Sequence, residues 1–579
     1  MPTNTFDISE IQAEHILLSL YSLAGTASSL PGYEDNNFRV NVDNGNIFIL
    51  KISRPNEDED YLNFQQELLQ YIASNGKDII APKVKKDKNG NSISEITDEF
   101  GKQRKVRLLS WISGRIWSSV NPQLDDLRFS LGEKCGRLTS VLLGFEHDKA
   151  YRNFEWDIAQ SLWTKKHLHL FNEKEVEIIA YFQELFENNF KAYSSLRKSV
   201  IHNDINDNNI VVSSELINPK VIAFIDYGDA LHTQIINDAA IACSYAIMRE
   251  NDPLDAALPI VKGYNSTFPL QEEELKHLYN SIAKRMVISV AKCALNKLVE
   301  PDKEYLYISE DASWQLLKKW KNISPDFAYF SFRQACGFSV HPNEEKFNNW
   351  VTKNKFKITD LFPNAPSNTI KHIDLSVSSK WFGNLKNFND LDYFQFRINQ
   401  LQAQHPDKVI AGGYLEQRLI YTSSAYDKIG NNGKESRTIH LGIDFWFPAH
   451  TPVHALFDGE VITAVNDSGD KEYGGLIILK HIVEGFEFFT LYGHNTVASV
   501  LQHKIGNIIK KGDKISELGN YPENGNWATH LHFQVMLSML DYRIDYPGVA
   551  YLNQLEVWKG LCLNPNLLFK SEVLQQKKE

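Results

Sequence analysis

The sequence predicts an α+β protein built from two dissimilar halves. Three observations lead there. A length of 579 residues is too great for one ordinary core. Up to about residue 340, helical periodicities alternate with a few β-prone runs. After about residue 400, short β-prone runs are punctuated by Gly, Asp, Asn and Pro, an all-β texture. The expected division is a first domain over 1–345, a linker and elaboration over 346–400, a second domain over 401–570 and a frayed tail over 571–579.

The elements follow in order. Residues 16–23 alternate as an amphipathic helix would. Asn44–Gly45 lies between the β-prone runs 38–40 and 47–51, a strong hairpin signal. Helical spacing over 58–72 precedes a strand candidate at 106–110. Residues 124–198 and 237–320 read as mostly helical, and between them lie strand-like runs at 210–212 and 221–225. Proline, asparagine and lysine with weak periodicity place the boundary within 341–369. Beyond it, 453–463 and 475–480 are β-prone, and 370–435 reads as an elaboration beside a groove.

Composition sets limits. The chain is 43% hydrophobic and 23% charged, as soluble globular proteins are. A net charge of −11 argues against nucleic acid or an anionic membrane as the main partner. The five cysteines are scattered, so neither a disulfide framework nor a cysteine-zinc site is expected. The first ten residues lack the basic start of a signal peptide, and no long apolar run predicts a membrane span, so the expected compartment is cytoplasmic.

The most informative segment is 200–212. His202, Asp204 and Asn209 have the spacing His-x-Asp-x-x-x-x-Asn, and Asp226 follows in Asp226-Tyr227-Gly228. A carboxylate at Asp204 suits a group that orients an acceptor hydroxyl and takes its proton. Asn209 and Asp226 offer the oxygen ligands that Mg2+ prefers. Lys51 ends a strand-like run, where a cation would hold phosphates. Glu67, with Glu57, Asp58 and Glu59 as neighbours that compete, is placed to fix Lys51 by an ion pair. Residues 30–38, with Gly32, are placed to cover the phosphates. Asp229 is either a further magnesium ligand or a cap.

These residues, with Asn36-Asn37-Phe38-Arg39, the 107–114 segment and Trp156–Asp157, resemble the aminoglycoside phosphotransferase and choline kinase superfamily, most of all its hydroxylysine-kinase-type members. The resemblance covers roughly residues 10–340. It implies a bilobal protein-kinase-like fold that uses ATP to phosphorylate a hydroxyl on a small amine. The glycine-rich loop is reduced to Gly32.

The second half carries His440 and Asp444, then His494, then His530 and His532. Residues two apart on a strand face one side, so His530 and His532 address one site. A catalytic zinc takes about three protein ligands and keeps one position open. With Thr451-Pro452-Val453, Asp458-Gly459-Glu460-Val461 and Lys511-Gly512-Asp513, the set resembles the LytM/lysostaphin-type metallopeptidases. That resemblance implies a mainly antiparallel β fold (a duplicated hybrid motif), Zn2+ on His440, Asp444 and His532, and His494 and His530 as catalytic histidines. The substrate it implies is a glycine-containing or peptidoglycan-like peptide. His454 and His481 read as ordinary strand or turn residues. Three readings stay open: a kinase with an accessory zinc domain, a zinc hydrolase regulated by a kinase-like half, and a nucleotide- and metal-dependent binding module. The same two types also occur in this order ahead of a pyridoxal-phosphate aminotransferase-like domain, an association that favours a hydroxylated amine.

Overall fold

The computed structural model describes residues 8–30, 32, 35–302, 307–381 and 385–575. The chain divides into two compact units, Met1–Cys336 and Gly337–Glu579.

In the first unit, helix α1 (Glu10–Tyr21) starts at a Ser9–Gln12 capping box. It lays Ala13, Leu17 and Tyr21 on an antiparallel sheet through Phe38, Val40, Leu50 and Leu108. That sheet comprises β1 (Gly25–Leu30), β2 (Asn36–Val42), β3 (Ile47–Ile52), β4 (Val84–Lys85), β5 (Ser94–Thr97) and β6 (Gln103–Ser110), in the order β1-β2-β3-β6-β4 with β5 beside β6. The β2–β3 hairpin turns at Gly45, whose φ of +86° needs glycine. β3 pairs with β6 so that Lys51 faces Arg107. Helix α2 (Glu59–Asn75) is capped by Asp58 and buries Leu62, Gln65, Gln66, Leu69 and Ile72.

The remainder of this unit is mostly helical. Helices Asp125–Leu142 and Pro253–Thr267 meet backbone to backbone. A Cβ on Gly132 would lie 1.8 Å from the Ile260 carbonyl oxygen, and one on Gly263 2.1 Å from that of Phe129. Helix Glu272–Val299 is buried almost all round from Leu275 to Ala291, which is why its sequence lacks a clean polar stripe. Strand Ile210–Val212 pairs with Val221–Phe224, and Lys198–Ile201 with Leu231–Gln234. These hairpins anchor the segments 202–209 and 225–229, tied together by the Ile225 N–H donating to the Asn209 carbonyl at 3.0 Å.

The second unit is built on a nine-stranded sheet. Its order runs Ile370–His372, Val409–Gly412, Ile443–Trp446, Leu531–Met536, Phe486–Asn495, Gly474–Val483, Gly459–Asp467 and Ile508–Ile509, with Cys562–Leu563 beside Leu531–Met536. All pairs are antiparallel except the first. The expected linker over 346–400 is corrected by its packing. Phe347, Trp350, Val351, Phe356, Leu361 and Phe362 are core residues of this unit, in one cluster with Phe445, Phe488 and Phe533. Weak periodicity hid them because each helix there is short and buries only two or three apolar residues. Among the described residues no helix is long and apolar enough to cross a membrane.

Candidate functional sites

Two constellations stand out, one in each unit. In the first, Asp204 is held on both oxygens. Its Oδ2 accepts from Asn209 Nδ2 at 2.7 Å and from Asn206 Nδ2 at 2.9 Å. Its Oδ1 accepts from Arg285 Nη2 at 2.6 Å. Arg285 is buried, stacks over Trp156 at 4.5 Å and donates to the Trp156 carbonyl at 3.1 Å. The loop is braced from behind by Asp238, whose carboxylate accepts from the His202 and Asn203 backbone N–H groups at 3.0 and 2.8 Å. His202 Nε2 donates to the Ile225 carbonyl at 3.1 Å, which sets Asp226 beside the loop.

Lys51 Nζ reaches Asp226 Oδ1 at 3.3 Å. That cation is the main reason Asp226 lies below the usual carboxylate range. Burial, and then Asp204, push Asp229 up to about 7. Asn203 and Asp226 have φ of 62° and 59°, a left-handed backbone uncommon outside glycine and concentrated at functional sites. The structure therefore joins Lys51, Asp204, Asn209 and Asp226 through a chain of contacts: Lys51 with Asp226, Asp204 with Asn209, and the Ile225–Asn209 backbone bond between them.

Glu67 is not among them. It lies 3.8 Å from His147 and is 60% exposed. The buried face of α2 carries Gln65 and Gln66 instead, and Gln65 Oε1 accepts from Arg107 Nη1 at 2.5 Å. Helical phase decides this: one residue turns the side chain by about 100°. Of the expected phosphate cover, Pro31, Tyr33 and Glu34 lie outside the described residues. Gly32 packs so closely that a Cβ would lie 2.5 Å from Asn37 Nδ2, and Asp35 pairs with Arg107 at 3.1 Å.

In the second unit, His440, Asp444 and His532 present ligand atoms within 4.8 Å of one another. His440 comes from strand Ile439–His440, Asp444 from Ile443–Trp446 and His532 from Leu531–Met536, with Asp444 and His532 paired across the ladder. His440 Nε2 lies 2.8 Å from His532 Nδ1 and 3.2 Å from Asp444 Oδ1, and His532 Nδ1 lies 3.3 Å from that oxygen. The other ring nitrogens are engaged: His440 Nδ1 donates to the Gly413 carbonyl at 2.9 Å, and His532 Nε2 to Gln534 Oε1 at 3.0 Å. These bonds fix the tautomers, so two imidazole lone pairs and a carboxylate oxygen face one point. Among the described residues Asp444 Oδ1 is buried without a hydrogen-bond partner. Three acceptors with no donor between them are satisfied by a cation, so these residues fit a metal ion.

The electrostatics agree. Burial first, and Arg418 second, push His440 down to about 3. Burial alone would raise Asp444, yet His440, Arg418 and His530 hold it well below the usual carboxylate range. His494 and His530 stand alongside with ring centroids 4.5 Å apart. Their Nδ1 atoms donate to the Asn524 and Ala528 carbonyls at 2.9 and 2.6 Å, and among the described residues Nε2 of each makes no hydrogen bond. His530 Nε2 is 3.6 Å from Asp444 Oδ1, and burial lowers both histidines. The site opens into a cleft of about 130 Å³ lined by His440, Asp444, His494, His530 and His532 with Arg418. His481 bonds Thr490 and the Asp458 carbonyl as an internal strand residue, and His454 bonds the Gly512 carbonyl at the surface.

Sequence reasoning missed Gln65, Arg285 and Arg418. Each is a polar residue inside a helical or irregular stretch, and its partner is remote in sequence, so no local pattern marks it.

Comparison with known proteins matches both halves. Residues 26–269 match the Phosphotransferase enzyme family (APH), and residues 438–542 match Peptidase family M23. Hydroxylysine kinase of Xenopus laevis is 27% identical over 341 residues, covering 54% of this chain and 89% of its own length. Hydroxylysine kinase of Mus musculus is 26% identical over 336 residues, covering 54% and 88%. A solved amicoumacin kinase, hAmiN, in complex with AMP-PNP, Ca2+ and Ami, is 17% identical with a TM-score of 0.42, covering 58% of this chain and 97% of that one. The first unit is thus a phosphotransferase-family domain of the kinase type. The chain joins a phosphotransferase-family domain, whose relatives are kinases, to an M23 peptidase-family domain, and these families imply nucleotide and metal use.

Proposed function

We propose that the first unit transfers a phosphoryl group from ATP to a hydroxyl of a small amine: an amino-alcohol, a hydroxylated amino acid or an aminoglycoside-like molecule. The observation that carries this is the set of contacts that joins Asp204 to Asn209, Asn209 to the Ile225 backbone, and Asp226 to Lys51. Asp204 orients the acceptor hydroxyl and receives its proton as the new O–P bond forms and the bond to the ADP oxygen breaks. Lys51 holds the phosphates. Asn209 and Asp226 supply the oxygens that would hold Mg2+, which when bound neutralises the triphosphate. The two relatives above are named for hydroxylysine, a hydroxylated amine, which supports this acceptor class.

The test is ATP consumption screened over amino-alcohols, hydroxylated amino acids and aminoglycosides with the full chain. Turnover with one class, lost in Asp204→Asn, is expected. Unchanged turnover in that variant would sink the assignment.

A second reading is favoured by the three converging acceptors in the other unit: a zinc-dependent endopeptidase acting on a glycine-containing, peptidoglycan-like peptide, with the kinase-like half regulatory or nucleotide-binding. His440, Asp444 and His532 would hold the ion. Zinc, when bound, lowers the pKa of a water and polarises a peptide carbonyl. His494 and His530, whose Nε2 atoms make no hydrogen bond among the described residues, would take up and hand on protons. Cleavage of glycine-rich peptides that vanishes in His494→Ala and His530→Ala supports this reading, and no cleavage with zinc present counts against it.

A further inference from the structure

The segment 413–418 lies outside the peptidase-family match, which begins at residue 438. Even so, it holds the outer faces of two of the three converging residues. The Gly413 carbonyl accepts from His440 Nδ1 at 2.9 Å. Arg418 Nη1 donates to Asp444 Oδ2 at 2.7 Å, and its Nε donates to Glu416 Oε2 at 2.6 Å. Arg418 and Asp444 are 3% and 1% exposed, so this pair is shut away from water. The segment is laced to the strand it serves. Leu415 N–H donates to the His440 carbonyl at 2.8 Å, His440 N–H to the Glu416 carbonyl at 3.0 Å, and Arg418 N–H to the Thr438 carbonyl at 2.8 Å.

The consequence falls on Asp444. A carboxylate has two oxygens and is free to turn either, or both, toward a cation. With a guanidinium on Oδ2, only Oδ1 faces His440 Nε2 and His532 Nδ1. A bare arginine so near a cation site would repel the ion. Glu416 offsets that charge, so what remains of the pair is its orienting effect. Gly413 makes the route possible. Its φ is +111°, and a Cβ there would lie 2.0 Å from Arg418 Nη2 and 2.9 Å from His440 Nδ1.

We propose that segment 413–418 is a working part of the metal centre, with Arg418 a positioning residue that presents one oxygen of Asp444 to the ion and Glu416 its charge partner. This rests on reading His440, Asp444 and His532 as metal ligands.

The test uses Co2+ as probe on the full chain, read by its visible absorption and by competition with a chelator. Wild type is expected to take up about one ion, lost in His440→Ala. Failure at that step overturns the ligand reading itself. The double variant Glu416→Gln, Arg418→Met removes the pair without changing net charge, so it reports positioning alone. Its affinity is expected to fall by about 10–100-fold, with an altered spectrum as Asp444 turns free. Arg418→Lys keeps charge and bulk but lacks the fork that holds both acids, and is expected to fall between. Circular dichroism confirms that each variant is folded, and the lysine variant decides if the double variant is not. Wild-type affinity and spectrum in the folded variants would overturn the proposal while leaving the ligand reading intact.

Discussion

Arg285 Nη2 lies 2.6 Å from Asp204 Oδ1, and the arginine is 1% exposed. The pair joins a buried helix to the loop that carries the spacing His-x-Asp-x-x-x-x-Asn. With Asn206 and Asn209 on the other oxygen, it leaves the carboxylate one orientation.

The first prediction follows. Asp204→Asn lowers kcat by about 10²–10⁴-fold with ATP binding retained. Arg285→Ala also lowers kcat, and it destabilises the unit by about 3 kcal/mol, because a charge-paired carboxylate loses its partner. Steady-state kinetics with a responsive amine, together with thermal unfolding, check both. Wild-type turnover in Arg285→Ala would remove the pair from the reaction geometry.

The second concerns pH. Asp229 is raised from 3.8 to about 7, so the folded protein favours its protonated form. Across that window the native state binds more protons than the unfolded one, and this group's contribution to stability falls as pH rises. Asp229→Asn removes the effect. In magnesium-free buffer the melting temperature of the variant gains on wild type between pH 5 and pH 8. A gap that stays constant with pH would refute the shift.

A third rests on the facing lone pairs of His440 and His532. Metal removal restores their mutual repulsion, and metal addition relieves it. Zinc at a hundredfold excess over its Kd stabilises the fold by about 2.7 kcal/mol. For a unit of this size that is on the order of 5–10 °C in Tm. Calorimetry with and without a chelator reads it, and His440→Ala or His532→Ala abolishes the response.

A fourth concerns the packing of 346–362. Phe347→Ala costs about 3–5 kcal/mol in the unit that carries the histidines, because a fully buried ring leaves a cavity. Denaturant unfolding followed by tryptophan fluorescence measures it. A cost below about 1 kcal/mol would mean that the segment is dispensable to that core.

Much of this architecture was legible in the sequence. Asn44–Gly45 marked the hairpin that delivers Lys51, and the spacing from His202 to Asn209 marked the loop that meets it. The alternation of His530 and His532 matched a strand paired with the one bearing Asp444. What escaped was phase and remote pairing. Glu67 sits on the right helix but points outward, because periodicity locates a face only to within a residue or so. Arg285 lies in a helix buried all round, where polar spacing carries no signal. Arg418 lies in an irregular stretch whose partner is 26 residues away in sequence, within the family-matched part of the chain.

The contact between Lys51 and Asp226 has one more consequence. Each cancels the other while they stay paired. A polyphosphate that drew off the lysine alone would strand an anion beside itself, and a divalent ion that took the aspartate alone would strand a cation. Neither exchange is favourable singly, so the two guests are expected to enter as a neutralised couple. Simple anions such as inorganic phosphate then have little hold on this pair.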